Sequence, residues 1–249
     1  MPFTGAHPMV VLPLLPARRA LRLDATCLVI GSMAPDFEYF VRGDQVGALG
    51  HTVRGIALWS VPATLVLALA WHHLAKRPLA LVAPRAIVRR VALRPWPRWT
   101  LGALASYVIS AALGAASHLV WDSFTHAKGW GVRVIPSLGA PVTAPLLGHT
   151  VVFRVLQYGS SLVGLAVVAI VCAIALRRRP PHAAPPPDWP ARAIYLAVVA
   201  AGIAAMAQRL GRGGGDLDAH VVQLISGLLA GMVVASALLL RRARGAFPA

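Results

Sequence analysis

The sequence predicts an all-α fold, a polytopic membrane helix bundle with about five transmembrane helices and short N-terminal and re-entrant or interfacial segments. The first observation behind this prediction is composition, since 57% of the 249 residues are hydrophobic and only 13% are charged. Soluble domains carry about 25% charged residues, so the composition indicates a membrane protein. The second observation is that five apolar stretches lack Asp, Glu, Lys and Arg and come close to the ~20 residues that a bilayer requires.

Charged residues and proline-rich segments delimit the predicted spans. In chain order the spans are residues 55–75, 100–117, 155–176, 193–208 and 219–240. Segments 25–35 and 134–153 are too short or too rich in Pro and Gly to cross a bilayer, and they are predicted as the interfacial or re-entrant segments. Residues 1–249 are interpreted as a single integral membrane domain. Its parts are a polar N-terminal segment (1–54), spans one to three (55–176), a Pro-rich linker (177–192) and the last two spans (193–249).

The formal charge of +16 arises from 24 Lys and Arg residues against 8 Asp and Glu residues. Most basic residues flank the spans, where they would meet anionic head groups, so membrane lipids are the expected partners. Nucleic acid is excluded because no groove-reading motif or basic–aromatic pattern is present. Basic clusters at 76–98, 177–179 and 241–244 fall on one side of the predicted bundle, and the positive-inside rule assigns that side to the cytoplasmic face of the inner membrane. The oligomeric state is left open.

Three ionisable residues share one helix face near the end of span two. His118, Asp122 and His126 are spaced four residues apart, which places them on the same side of a helix. The same row continues backward through small residues at Ser106, Ser110 and Gly114. An imidazole and a carboxylate in this arrangement can bind one metal ion. The alternative is a hydrogen-bonded pair within a helix-packing interface.

More ionisable residues precede span one, namely His7, Asp36, Glu38 and His51. With the loop after span one in the cytoplasm, the start of span one and the end of span two lie on the opposite, extracytoplasmic face. All of the candidate ligands are therefore predicted to converge there, and ionisable groups at membrane depth are usually functional. For Asp36, which follows a proline, the alternative is a helix start where a carboxylate is favoured by the helix dipole.

Four pieces of sequence carry a resemblance to known families: MPFTGAHP, IGSMAPDFEYF, GHTVRG and SHLVWDSFTHAKG. They resemble the bacterial multi-pass membrane family catalogued as domain of unknown function 4184. The order of motifs is more distantly similar to membrane-bound metal-dependent hydrolases and to zinc-dependent phospholipase C. The positions that match the hydrolase pattern are His7, Asp36, His51, His118 and Asp122. The GHTVRG piece departs from it, since it carries one histidine where the hydrolases carry two.

The expected function is a membrane-embedded metal-dependent hydrolase, with zinc as the divalent ion and a lipid-linked phosphoester as the substrate. The predicted metal ligands are His7, His51, His118 and Asp122, followed by Asp36 and His126. Glu38 and Asp36 are the predicted catalytic residues, with Glu38 as a base or an orienting group. The alternative is a non-catalytic membrane protein whose cluster is a structural metal site or a polar network. Serine-nucleophile and nucleotide-binding motifs are absent from the sequence.

Overall fold

The computed structural model describes residues 3–44, 49–91, 93, 96, 100–185, 188–210 and 217–247. The described chain is mostly helical, and five helices are long and apolar enough to cross a membrane. They are Val53–Val82, Leu101–Thr125, Val152–Arg177, Trp189–Gln208 and Ala219–Ala246. The predicted all-α fold with five membrane-length helices is confirmed, and these helices fit an integral membrane protein.

Short helices and one hairpin connect the long helices. In chain order the helices are α1 (Pro8–Val11), α2 (Ala25–Gly31), α3 (Phe37–Arg42), α4 (Val53–Val82), α5 (Arg85–Val88), α6 (Leu101–Thr125), α7 (Trp130–Val134), α8 (Val152–Arg177), α9 (Trp189–Leu210) and α10 (Leu217–Ala246). Strands β1 (Pro141–Ala144) and β2 (Gly148–Val151) pair antiparallel between α7 and α8. The chain divides into two compact units, the first made of residues 1–38, 48–65 and 99–172 and the second of residues 39–47, 66–98 and 173–249.

In the first unit, α2 crosses α6 with the two backbones in contact. A Cβ atom on Gly114 would lie 2.5 Å from the carbonyl oxygen of Leu28, and one on Gly31 would lie 2.6 Å from that of Ala111. Any larger residue at either position would push the helices apart. The crossing therefore requires both glycines, and it brings the end of α2 next to the last turns of α6.

The small polar residues of α6 also hold the segment that leads into α2. The Ser110 hydroxyl accepts a hydrogen bond from Asp24 N at 2.8 Å, and the Ser106 hydroxyl donates to the Arg22 carbonyl at 2.6 Å. Asp24 in turn caps α2 by accepting from Cys27 N at 2.8 Å. The row of small residues Ser106, Ser110 and Gly114 on α6 thus forms a packing surface for the N-terminal segment.

Helix α4 begins directly after the loop that carries His51, and Thr52 caps its start. It contains two π turns, Ile56–Ser60 and Trp71–Ala75. Pro62 and Pro78 lack the N–H that would bond to a carbonyl four residues earlier, and in both cases that carbonyl belongs to the preceding π turn. The prolines thus account for the two irregular turns in an otherwise continuous helix.

The second unit is built on α9 and α10, which approach each other through glycine. A Cβ atom on Gly227 would lie 2.5 Å from the carbonyl oxygen of Gly202. Towards the end of α10, the buried side chains of Leu81, Tyr195 and Leu239 form a core shared by α4, α9 and α10. This core packs the same end of three membrane-length helices together.

Two segments contain structure that their sequence-based predictions did not specify. Segment 134–153, predicted as interfacial or re-entrant, contains the β1–β2 hairpin, whose turn has positive φ angles of 67° at Leu146 and 63° at Gly148. Helix α6 extends to Thr125, whereas the predicted span ended at residue 117. The predicted span ended before His118 and Asp122 because both residues are polar. Their side chains are buried, and the helix continues through them.

Candidate metal centre

His118 lies one turn beyond the crossing of α2 and α6, and its side chain is buried. Its Nδ1 is 2.8 Å from the carbonyl oxygen of Ser32. A carbonyl oxygen only accepts, so Nδ1 carries the proton and donates it. Nε2 then lies 3.3 Å from Asp122 Oδ2 and 3.5 Å from Asp36 Oδ1. A neutral His118 directs the lone pair of Nε2 at the carboxylates of Asp122 and Asp36. Because the lone pair and the carboxylates repel each other, this arrangement is favourable only with a proton or a cation between the nitrogen and the oxygens.

Asp36 is fully buried at the end of a 3₁₀ turn, Ala34–Asp36. The Thr4 hydroxyl donates a hydrogen bond to Asp36 Oδ2 at 2.6 Å. The other oxygen, Oδ1, lies 3.2 Å from His51 Nε2. Asp36 directly precedes α3, as the helix-start alternative had it, and its carboxylate is at the same time directed into the cluster and held there by Thr4.

The loop that carries His51 is fixed by a buried carboxylate. Glu38 Oε2 accepts hydrogen bonds from Gly50 N at 2.6 Å and Leu49 N at 3.2 Å. A Cβ atom on Gly50 would lie 2.5 Å from the carbonyl oxygen of Pro35, so only glycine lets the loop pass this close. Glu38 and Gly50 together fix the backbone position of the next residue, His51.

Two imidazole nitrogens and two carboxylate oxygens converge in this cluster. His51 Nε2 lies 3.2 Å from Asp36 Oδ1 and 3.5 Å from Asp122 Oδ2. His118 Nε2 lies 3.5 Å and 3.3 Å from the same two oxygens. Ligands arranged tetrahedrally around zinc, with bonds of ~2.0–2.1 Å, lie about 3.3 Å from one another. The four nitrogen–oxygen separations are close to this ligand–ligand spacing.

His7 adds a further imidazole to the cluster. Its ring stacks on that of His118 with 3.7 Å between the centroids, and its Nε2 lies 3.7 Å from Asp122 Oδ1. His7, His118 and Asp122 form a second group whose ligand atoms all lie within 4.8 Å of one another. Burial, reinforced by the neighbouring His118, lowers the pKa of His7 to about 4. The ring is thus neutral at pH 7, the form in which imidazole binds metals.

His126 lies at the edge of the cluster, one turn after Asp122. Its Nδ1 is 3.1 Å from the carbonyl oxygen of Asp122 and 3.8 Å from Asp122 Oδ1. Its side chain is 34% exposed, and it belongs to neither group of converging ligand atoms. The structure therefore places His126 between the buried donors and the solvent.

The donor atoms fit a metal ion. Both ring nitrogens of His7, Nε2 of His118 and Oδ1 of Asp122 are buried without a hydrogen-bond partner among the described residues, although buried polar atoms are nearly always paired. All four are atoms that bind transition metals. Burial alone would raise the pKa of Asp36, but the imidazoles of His118 and His51 hold it well below its usual range. The cluster thus combines an ionised carboxylate with ring nitrogens, which are the ligand types of zinc.

The sequence pieces that carry these residues lie within the match to one family model. The model is described as domain of unknown function (DUF4184), and it matches residues 1–237. The chain belongs to this family. No curated protein and no solved structure matches the chain. The predicted resemblance to the domain of unknown function 4184 family is confirmed, and the whole cluster of this DUF4184 protein falls within the matched residues.

The structure of the DUF4184 protein brings five of the six predicted ligands together and leaves His126 at their edge. The five are His7, Asp36, His51, His118 and Asp122. Sequence reasoning missed Thr4, whose only signal is its place in the MPFTGAHP piece, and the carbonyl of Ser32. A backbone carbonyl leaves no signal in the side-chain pattern, because every residue has one. The catalytic role of Glu38 stays a prediction.

Replacing Thr4 with valine is expected to lower the affinity of the DUF4184 protein for zinc by about 10- to 100-fold. Valine keeps the shape of threonine but removes the hydroxyl that fixes Asp36 Oδ2. Competition between the purified protein and a chromophoric chelator measures the change in Kd. Thr4→Ser is the matched control, because serine restores the donor. Equal affinities in the valine variant and the wild type would show that Thr4 has no effect on the metal site.

Proposed function

We propose that this DUF4184 protein is a membrane-embedded, metal-dependent hydrolase whose ion is held by His51, His118, Asp36 and Asp122. The observation that carries the proposal is the set of four nitrogen–oxygen separations between 3.2 and 3.5 Å. His7 is the next donor, since its Nε2 lies 3.7 Å from Asp122 Oδ1. Zinc is the ion that this histidine and carboxylate set favours, because it accepts both ligand types in a four-coordinate site.

A divalent ion in this site would lower the pKa of a bound water to about 7 and polarise a phosphoryl or acyl oxygen of the substrate. The protein's own residues supply the orientation. The Ser32 carbonyl fixes the tautomer of His118, and the Thr4 hydroxyl leaves Asp36 Oδ1 directed at the ion. Hydrogen bonds of this kind behind the ligands are general in metal sites and raise their affinity.

The open side of the site supplies the proton-transfer group. His51 and His126 have side chains 21% and 34% exposed, whereas those of His118 and Asp36 are fully buried. His126 Nδ1 donates to the Asp122 carbonyl, so Nε2 is its basic nitrogen. There it can take a proton from the attacking water and return it to the leaving group. Glu38 is assigned the role of orienting His51, because its Oε2 already accepts from two backbone amides.

The position of the site in the chain supports a lipid-linked phosphoester as the substrate. The ligands cluster at the start of α4 and the end of α6, two helices of membrane length. Such helix ends meet the head-group region of a bilayer. The basic cluster at 76–98 connects the opposite ends of these two helices, and the positive-inside rule therefore favours the extracytoplasmic face for the site.

Metal content and hydrolysis, measured on the same detergent-purified preparation, test this proposal. Wild-type protein is expected to contain about one zinc ion per chain by elemental analysis and to hydrolyse a chromogenic phosphodiester. Chelation should abolish hydrolysis and added zinc should restore it. His118→Ala should lose both metal and activity, since the variant lacks a buried ligand at the centre of the set.

Two further variants make the outcome specific. His149→Ala removes an exposed histidine on strand β2 and should keep metal and activity. His126→Ala should keep the metal but lower turnover by about 10²–10⁴-fold, as expected for loss of an acid–base group. Absence of metal from a folded wild type would leave the cluster as a polar network. Metal that is retained without hydrolysis of any ester would instead indicate a structural metal site.

A further inference from the structure

A concave site lies within the second compact unit. It is a cavity of about 220 Å³ where α4 ends and α9 begins. Its wall is apolar on the side of Leu81 and Val82 and polar on the side of Arg85, Asp188 and Arg192. The cavity has room for several water molecules or for one phosphate group with part of its ester.

The charges around this cavity do not cancel. Asp188, its one lining carboxylate, forms an ion pair with Arg242 and caps α9 by accepting from Ala191 N at 3.0 Å. Arg85 and Arg192 have no carboxylate partner among the described residues. The cavity therefore presents two arginine side chains whose charge no carboxylate of the described residues neutralises.

The aromatic wall of the cavity is typical of a membrane interface. Trp189 opens α9, is 64% exposed, and lies 5.4 Å from the guanidinium of Arg192. Leu81 of the cavity wall also belongs to the core with Tyr195 and Leu239, which joins the same end of three membrane-length helices. Tryptophan and arginine at helix ends contact lipid head groups. The cavity is thus positioned where a bilayer presents its phosphates.

We propose that this cavity binds the phosphate of an anionic phospholipid head group. Guanidinium groups bind phosphate through paired hydrogen bonds, and Arg85 and Arg192 line the same cavity from α5 and α9. The apolar wall formed by the end of α4 would contact the glycerol backbone and the start of the acyl chains. The exposed face of Trp189 would lie against the head group, as interfacial tryptophans do.

Native mass spectrometry of the full-length protein in a neutral maltoside detergent tests the site. Wild type is expected to bind phosphatidylglycerol at least about tenfold more tightly than phosphatidylcholine, since basic side chains near the surface attract anionic lipid. The double variant Arg85→Gln/Arg192→Gln should lower the affinity for phosphatidylglycerol by about 10- to 30-fold. The matched control is Arg19→Gln/Arg133→Gln, which removes the same charge from exposed positions outside the three basic clusters and should change affinity less than about twofold.

Three results would overturn the proposal. Equal losses in the two double variants would mean that lipid responds only to overall surface charge. Equal affinity of the wild type for both lipids would remove the head-group preference. Inorganic phosphate that binds the cavity while phosphatidylglycerol does not would identify a site for free phosphate. Restoration of lipid affinity in Arg85→Lys/Arg192→Lys would confirm the role of positive charge at these two positions, independently of the metal centre.

Discussion

Zinc-dependent stabilisation of the protein is expected to disappear when Asp36 is replaced with asparagine. The asparagine side chain keeps an oxygen for the Thr4 hydroxyl but presents a neutral atom to the ion in place of a carboxylate. A four-ligand zinc site contributes about 10–16 kcal/mol, so one ligand accounts for roughly 3 kcal/mol or somewhat more. The dissociation constant for zinc should therefore rise by about a hundred- to a thousandfold.

Thermal unfolding with and without added zinc measures this loss. At a zinc concentration 100 times its own Kd, the wild type should gain about 2.7 kcal/mol of unfolding free energy. At the same concentration the Asp36→Asn variant should gain close to none. Asp44→Asn makes the same chemical change at an exposed position and should retain the full shift. A normal zinc shift in Asp36→Asn would exclude Asp36 as a ligand.

Glu38→Ala is expected to destabilise the protein by about 2–6 kcal/mol and to weaken zinc binding by about 10- to 100-fold. The alanine leaves the buried amide of Gly50 and the partly buried amide of Leu49 without their acceptor, at a cost of about 1–3 kcal/mol each. The loop that carries His51 would then no longer be fixed over the Pro35 carbonyl. Chemical denaturation and zinc titration measure the two effects separately.

The variant Glu38→Gln distinguishes an orienting role from a general-base role. Glutamine has an amide oxygen that can accept from the same two backbone N–H groups. If Glu38 only orients the loop, the glutamine variant should therefore keep most of that function. Zinc affinity and turnover should then stay close to those of the wild type. If Glu38 is instead the base, the glutamine variant should bind zinc normally and lose turnover as completely as the alanine variant.

The membrane-length helices and the meeting of their polar residues could be predicted because both follow from patterns along the chain. Apolar stretches of fixed length give the spans. Two successive spans run in opposite directions, so His51 before the first and Asp122 at the end of the second had to lie at the same end. Their side chains are 3.5 Å apart. That His118, Asp122 and His126 share one face of α6 likewise follows from helical periodicity.

Features that depend on close packing were not predictable in the same way. The carbonyl of Ser32 bonds to His118 only because Gly31 and Gly114 let α2 approach α6. No charge or spacing marks such a contact. The hairpin at 141–151 was missed because its two four-residue strands lie in a segment rich in Pro and Gly. The hydrogen bonds of Glu38 likewise depend on the path of the loop, which its sequence does not specify.

The order of the donors along the chain has a consequence for synthesis. His7, Asp36 and His51 all precede the first membrane-length helix, while His118 and Asp122 are in the last turns of the second. The ribosome therefore completes the donor set only after both helices have been made and the second has been inserted beside the first. Until then the N-terminal half of the set has neither its partner residues nor the α6 surface that buries it. Binding of an ion by the proposed site would thus require that both helices of this hairpin have been inserted side by side.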